Sequence, residues 1–197
     1  MNIKEQYAKI KEENKHKSGA KPHNSVSLLM EEYSVTRFVE VGLYKCKAAK
    51  YILRRYDHLL DAYWGIDFFL EQDWSKKRGL YQKEWDGLYG WASYFSMFFK
   101  SFKILRMSSK EAADLFKKRS EFSNWEPFDM VYIDAAHDYI SLSEDIELWI
   151  NLIKPGGVIS GHDYGQRRHK EAKTAVDDYF GEENIKTLPG YVWYHEV

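Results

Sequence analysis

Two apolar runs, FDMVYIDA at residues 128–135 and VISGHD at residues 158–163, are separated by a single stretch of helical periodicity. The intervening residues 139–153 place Tyr139, Leu142, Ile146, Trp149, Ile150 and Ile153 on one face, and PGG at 155–157 is expected to stop the helix. Neither apolar run alternates with polar residues as a half-exposed strand would. Such continuous runs are strands covered on both faces. A strand, a covering helix and a second buried strand constrain the fold more than any other feature of the chain.

The same order recurs along the sequence. RFVEVGL (37–43) reads as a buried strand, and residues 46–60 as a helix with Cys46, Ala49, Leu53 and Tyr56 in register. AYWGIDFF (62–69) and KILRMS (103–108) are further strands, and KEAADLFKKR and EAKTAVDDYF are helices. IKTL and YVWYHEV, around a PG dipeptide, form a terminal strand pair. The fold class is therefore α/β: a doubly wound, mostly parallel seven-stranded sheet with a terminal antiparallel strand.

Residues 1–24 are polar and read as an N-terminal helical arm ending in the breaker-rich SGAKPHN. Residues 25–197 form the α/β domain, which opens on a short helix with Ser25 as its N-cap. Residues 70–102 read as an aromatic-rich insertion, whose second half, GWASYFSMFFKSF, is helical. Its aromatic residues suit core packing or a homodimer contact. The alternative is a substrate lid in which Trp85, Trp91 or Tyr94 stacks on an acceptor ring.

A formal net charge of −1 offers no field for a polyanion, so no nucleic-acid partner is expected. Cys46 is the only cysteine. No apolar run approaches the roughly 18–20 residues of a membrane span, and the N-terminus lacks the apolar core of a signal peptide. A soluble cytoplasmic protein with no membrane partner is the expectation.

In a doubly wound sheet the ligand lies beyond the carboxyl ends of the strands. Five of those ends carry informative residues: Glu40 and Gly42, Asp67, Met107 and Ser108, Asp134, and His162 with Asp163. Gly42 permits close backbone approach to a ligand. Asp67, at the end of the next strand, can accept two hydrogen bonds from a ribose diol. Glu40 lies within a strand and needs a partner, for which Lys45 or Lys47 is the structural candidate.

FVEVGLYKCKAAKYI, YWGIDFF, LRMSSKEAADLF and FDMVYIDAAHDYISLSEDIELWINLIKPGGVISGHDYG together resemble the class I S-adenosylmethionine-dependent methyltransferases. The resemblance covers residues 36–181 and is strongest to a small-molecule O-methyltransferase-like branch with a Rossmann-like fold. It implies that Glu40 and Gly42 lie on the cofactor loop, that Asp67 holds the ribose, and that Ser108 lies beside the adenine. It places Asp134 near the methyl-transfer centre, where it serves both the cofactor and catalysis. Cys46 stands where the family usually has a second glycine, which puts cofactor affinity in question.

The resemblance also implies a magnesium ion at positions matching Asp134, His162 and Asp163. Two carboxylates suit a hard divalent cation, whereas the imidazole fits manganese, iron or zinc better. The structural alternative has His162 and Asp163 bonded to backbone at a turn, with His137 pairing to an acid. Either His137 or His162 could act as the base for a substrate hydroxyl, while Asp138 is expected to cap the following helix.

The favoured activity is thus methyl transfer from S-adenosylmethionine to a small-molecule hydroxyl acceptor. Two rivals stand beside it: a non-catalytic cofactor-binding or scaffolding protein, and a metal-dependent enzyme such as an oxygenase using Asp134, His162 and Asp163.

Overall fold

A computed structural model describes residues 21–122 and 125–197, so the expected arm at residues 1–24 lies almost wholly outside the described residues. Five strands run parallel: β1 (Arg37–Val41), β2 (Ala62–Ile66), β3 (Phe102–Leu105), β4 (Phe128–Ile133) and β5 (Ile153–Gly161). Two more close the sheet: β6 (Lys186–Leu188) and β7 (Val192–Glu196). The spatial order is β3-β2-β1-β4-β5-β7-β6. β7 pairs antiparallel with both β5 and β6, so the chain-terminal strand is not the edge of the sheet.

Side chains alternate across the sheet and build two cores. Phe38, Tyr63, Phe102, Met130 and Tyr132 face one layer of helices: α1 (Pro22–Glu32), α2 (Lys47–Tyr56) and α4 (Gln82–Ser96). Val39, Val41, Ile66, Val131 and Ile133 face the other: α5 (Ser109–Arg119), α6 (Tyr139–Ile150) and α7 (Lys170–Phe180). A short helix, α3 (Asp73–Lys76), precedes α4. Both faces are covered, which is why the strands carry no polar alternation. No helix among the described residues is long and apolar enough to cross a membrane.

Several local expectations need correction. Ser25 is not an N-cap: α1 begins at Pro22, with Lys21 at the cap position. Pro22 supplies the fixed φ of a first helical residue, which turns an apparent breaker into a start signal. Ser25 is buried within α1, and its hydroxyl donates to the Pro189 carbonyl at 2.6 Å. The boundary expected at residue 24 therefore falls inside a helix.

Residues 70–102 make up most of the connection between β2 and β3. β2 and β3 are parallel neighbours, so the chain between them must cross over the sheet, and α4 is that crossover. PGG does not end α6, which stops at Ile150. It lies instead within β5, where the pairing with β4 shifts register between Phe128 and Met130. Gly156 takes a φ of +76° there, a conformation suited to glycine.

Candidate active site at the strand carboxyl ends

β1 ends in a turn that only glycine can make. Gly42 has a φ of +96°, and a Cβ on it would lie 2.3 Å from the Asp134 carbonyl oxygen. The amide of Gly42 donates to the Ile66 carbonyl, and that of Asp134 to the Val41 carbonyl, each at 2.8 Å. The ends of β1, β2 and β4 are thereby fixed to one another. Beyond Gly42 the loop carries side chains in the left-handed region, at Tyr44 (φ 44°) and Cys46 (φ 50°). Cys46 is the N-cap of α2 rather than a residue within it. Its thiol is fully buried in the α2-side core, so it does not line the open rim. Burial also holds the thiol protonated, pushing its pKa well up.

Asp67 follows β2 directly. One carboxylate oxygen accepts from the amides of Leu43 (3.1 Å) and Tyr44 (2.8 Å), and the other from the amide of Phe69 (2.8 Å). The acid therefore clamps the glycine loop to the end of β2. Burial raises its pKa against the pull of these three donors.

Glu40 is buried on the α2 face of β1, and its partner is not lysine. The Tyr63 hydroxyl, from β2, donates to it. Burial pushes the carboxyl up to about 8, against the bond from Tyr63, and the negative charges of Asp134 and Asp67 add to the rise. Three acids thus lie close enough to influence one another around the Gly42 turn. The protonated Glu40 side chain leaves Asp67 and Asp134 as the carboxylates that would favour a cationic ligand group.

Ser108 lies just past β3 as the N-cap of α5. Its hydroxyl accepts from the Glu111 amide at 3.2 Å, and the Glu111 carboxylate in turn receives the Ser108 hydroxyl and amide at 2.7 and 2.8 Å. The hydroxyl is therefore occupied by the capping box.

The ends of β4 and β5 bring four titratable residues together. Nδ1 of His162 lies 3.3 Å from Asp134 and 3.2 Å from Asp163. The second Asp163 oxygen lies 2.8 Å from Nδ1 of His137. Asp163 has a φ of +65°, a conformation that aspartate tolerates better than most residues. Its buried carboxylate also accepts from Gln166 Nε2 at 2.6 Å.

Burial would lower the pKa of His162, but its bonds to Asp134 and Asp163 carry it up to about 10. Burial would raise Asp163, yet its bonds to His137 and His162 hold it well below the usual carboxylate range. His137 is raised by its bond to Asp163, against burial. The expected pairing of His137 with an acid is present. The side chains of His162 and Asp163, by contrast, bond to each other and to Asp134 and His137, not to backbone at a turn. Asp138 caps α6 as expected, accepting from the Ser141 amide at 3.0 Å.

Three members of the rim were missed in the sequence. Tyr63 and Tyr132 are strand residues that read simply as core. Tyr132 directs its hydroxyl towards Asp134 at 3.4 Å, and its place two residues before that acid was the available signal. His169, at the N-cap of α7, lies with its ring centroid 4.4 Å from that of His137. Nothing local in QRRHK singles it out.

The crossover helix walls the neighbouring ends. Trp85 is buried, packs 5.5 Å from the Tyr44 ring, and donates its indole N–H to Ser75. It is core, and therefore unavailable to stack on an acceptor. Tyr89 packs on Phe69, and Arg106 lies over the Tyr89 ring. Trp91 and Tyr94 remain exposed.

A profile of the methyltransferase domain family matches residues 39–164, which span the glycine turn, the Asp67 clamp and the Asp134–His162–Asp163 cluster. The chain belongs to this methyltransferase family. No curated protein matches the sequence.

Among solved structures, the chain is similar to CalS11, a TDP-rhamnose 3'-O-methyltransferase of calicheamicin biosynthesis. The identity is 12% and the TM-score 0.62, over 89% of this chain and 78% of that one. It is also similar to TomG, the O-methyltransferase of tomaymycin synthesis from Streptomyces achromogenes, solved with S-adenosylmethionine. Here the identity is 13% and the TM-score 0.53, over 100% and 90% of the two chains. NodS, an N-methyltransferase from Bradyrhizobium japonicum WM9, matches with 12% identity and a TM-score of 0.53, over 88% and 91%. At these identities the likeness establishes the shared fold.

Proposed function

We propose that the protein transfers a methyl group from S-adenosylmethionine to a hydroxyl oxygen of a small molecule. The observation that carries this reading is the convergence of Glu40, Gly42, Asp67 and Asp134 beside a histidine–carboxylate array. The carboxylates of Asp67 and Asp134 suit the positive charges of the cofactor, and the glycine turn brings the ends of β1 and β4 into close backbone contact. CalS11 and TomG, both described as O-methyltransferases, favour oxygen as the acceptor atom.

Bound S-adenosylmethionine would supply an electrophilic methyl carbon, with sulfur as the leaving group that keeps the electron pair of the broken bond. The chain's own work is alignment and proton removal. Glu40 and Asp67 hold the cofactor half, with Ser108 on the adenine side, and Asp134 lies at the transfer centre. Such positioning can lower the barrier by roughly 7–11 kcal/mol in favourable cases. Asp163 orients His137 through Nδ1, leaving Nε2 to take the acceptor proton, as a carboxylate does for a catalytic imidazole.

Asp134, His162 and Asp163 also fit a divalent cation, because their ligand atoms all lie within 4.8 Å of one another. The imidazole favours manganese, iron or zinc over magnesium. An ion there would lower the pKa of the acceptor hydroxyl. When no ion is bound, the proton on His162 supplies the positive charge between the two carboxylates.

The reading includes a homodimer through the exposed residues Tyr94, Met97 and Phe98 at the end of α4. It includes no nucleic-acid partner, given the near-neutral charge, and it places the protein in the cytoplasm, given the single cysteine.

Isothermal titration with S-adenosylmethionine and with its demethylated product tests the cofactor. Binding of both is expected, and Asp67→Ala should abolish it. If neither compound binds at millimolar concentration, the reading fails.

A further inference from the structure

Asp163 uses its two carboxylate oxygens in different directions. One faces His162 and Gln166, and the other faces His137. On the His137 side stands a second group, His137, Asp163 and His169, whose ligand atoms also lie within 4.8 Å of one another. Each comes from a different element: His137 from the loop after β4, Asp163 from the end of β5, and His169 from the N-cap of α7.

We propose that His137, Asp163 and His169 form a second metal site, selective for zinc-class d-block ions and joined to the Asp134–His162 position through the Asp163 carboxylate. Two imidazoles and one carboxylate are the ligand set of open zinc sites, with water completing the coordination. A tetrahedral zinc with bonds of roughly 2.0–2.2 Å needs donor atoms about 3.4 Å apart. The His137–Asp163 contact is 2.8 Å and all three ligand atoms lie within 4.8 Å of one another, distances that bracket that spacing.

His169 has no other evident task. An N-cap side chain ordinarily accepts a hydrogen bond from the first helical turn, and this one does not. Its imidazole packs against the His137 ring. The 163–169 loop meanwhile fixes its position, because the Gln166 amide bonds the Asp163 carbonyl and the His169 amide bonds the Gln166 carbonyl.

The site has a consequence for the reaction proposed above, on which this part of the inference rests. An ion bound by His137 removes the base that would accept the substrate proton. Zinc-class ions at this position therefore inhibit methyl transfer, whereas hard ions at Asp134 would not.

Titration of tag-free, chelator-stripped protein with Co2+, read by visible absorption, tests the site directly and needs no turnover. Two equivalents are expected for the wild type and one for His169→Ala, whose missing absorption band reports the second site. Asp134→Asn should lose the other equivalent and keep the His169-dependent band. Circular dichroism and cofactor titration of His169→Ala, together with the more conservative His169→Gln, separate loss of metal from loss of fold. Equal stoichiometry and spectra in wild type and both His169 variants overturn the proposal. That result leaves the methyltransferase reading intact, because cofactor binding is measured separately.

Discussion

Glu40 holds a proton that an exposed carboxylate would have released. Its pKa rises from the usual 4.5 in the unfolded chain to about 8 in the native protein. Between those values the native state binds more protons than the unfolded state. The contribution of this group to stability therefore falls as pH rises through that window, with a slope of at most about 1.4 kcal/mol per pH unit. Glu40→Gln, which copies the protonated form, should flatten the dependence of Tm on pH between 5 and 8. An unchanged slope would show that Tyr63 and burial do not hold the proton there.

At this scale the sequence was partly legible. Gly42, Asp67 and Asp134 could be placed because each stands at the end of an apolar run. The partner of Glu40 could not, because Tyr63 lies 23 residues away on a neighbouring strand. His169 was hidden for a similar reason, since the packing of α7 against α6 brings it to His137.

Helix α4 shows what topology adds to an element already read as helical. Aromatic residues around much of its circumference set it apart in the sequence, and the parallel pairing of β2 with β3 makes it part of the crossover between them. Its inner face, with Trp85, Ala92 and Phe95, belongs to the core. Trp85→Ala should cost roughly 3–5 kcal/mol in denaturant unfolding, as for other large buried aromatics. Tyr94→Ala, on the outer face, should change stability by less than about 0.5 kcal/mol. If the homodimer forms, light scattering should report a dimer for the wild type and a monomer when Tyr94, Met97 and Phe98 are together replaced by serine. A monomeric wild type would remove the dimer from the reading.

Across the whole molecule, chemistry and anchoring lie at opposite rims of one sheet. The carboxyl ends of the strands hold the acids and histidines. Near the other rim, buried Asp129 accepts from the amides of Thr36 (2.7 Å) and Arg37 (2.8 Å) and pairs with Lys154 at 2.6 Å. The doubly wound architecture was legible because covering both faces leaves strands without polar alternation. The place of β7 inside the sheet was not, because a short terminal pair gives no sign of which strand meets β5.

The loop after Gly42 carries a further consequence. Tyr44 and Cys46 occupy left-handed conformations that cost an L-residue roughly 1–2 kcal/mol each, where glycine would incur little strain. Tyr44 packs against Trp85, and Cys46 is sealed in the core, so the loop cannot relax by swinging outward. A glycine loop would sample many shapes before a ligand arrived; this one has already given up most of that freedom during folding. The difference should appear in the heat of association rather than in affinity alone. Calorimetry on Cys46→Gly should show a larger unfavourable entropy of cofactor binding than the wild type, offset by a more favourable enthalpy.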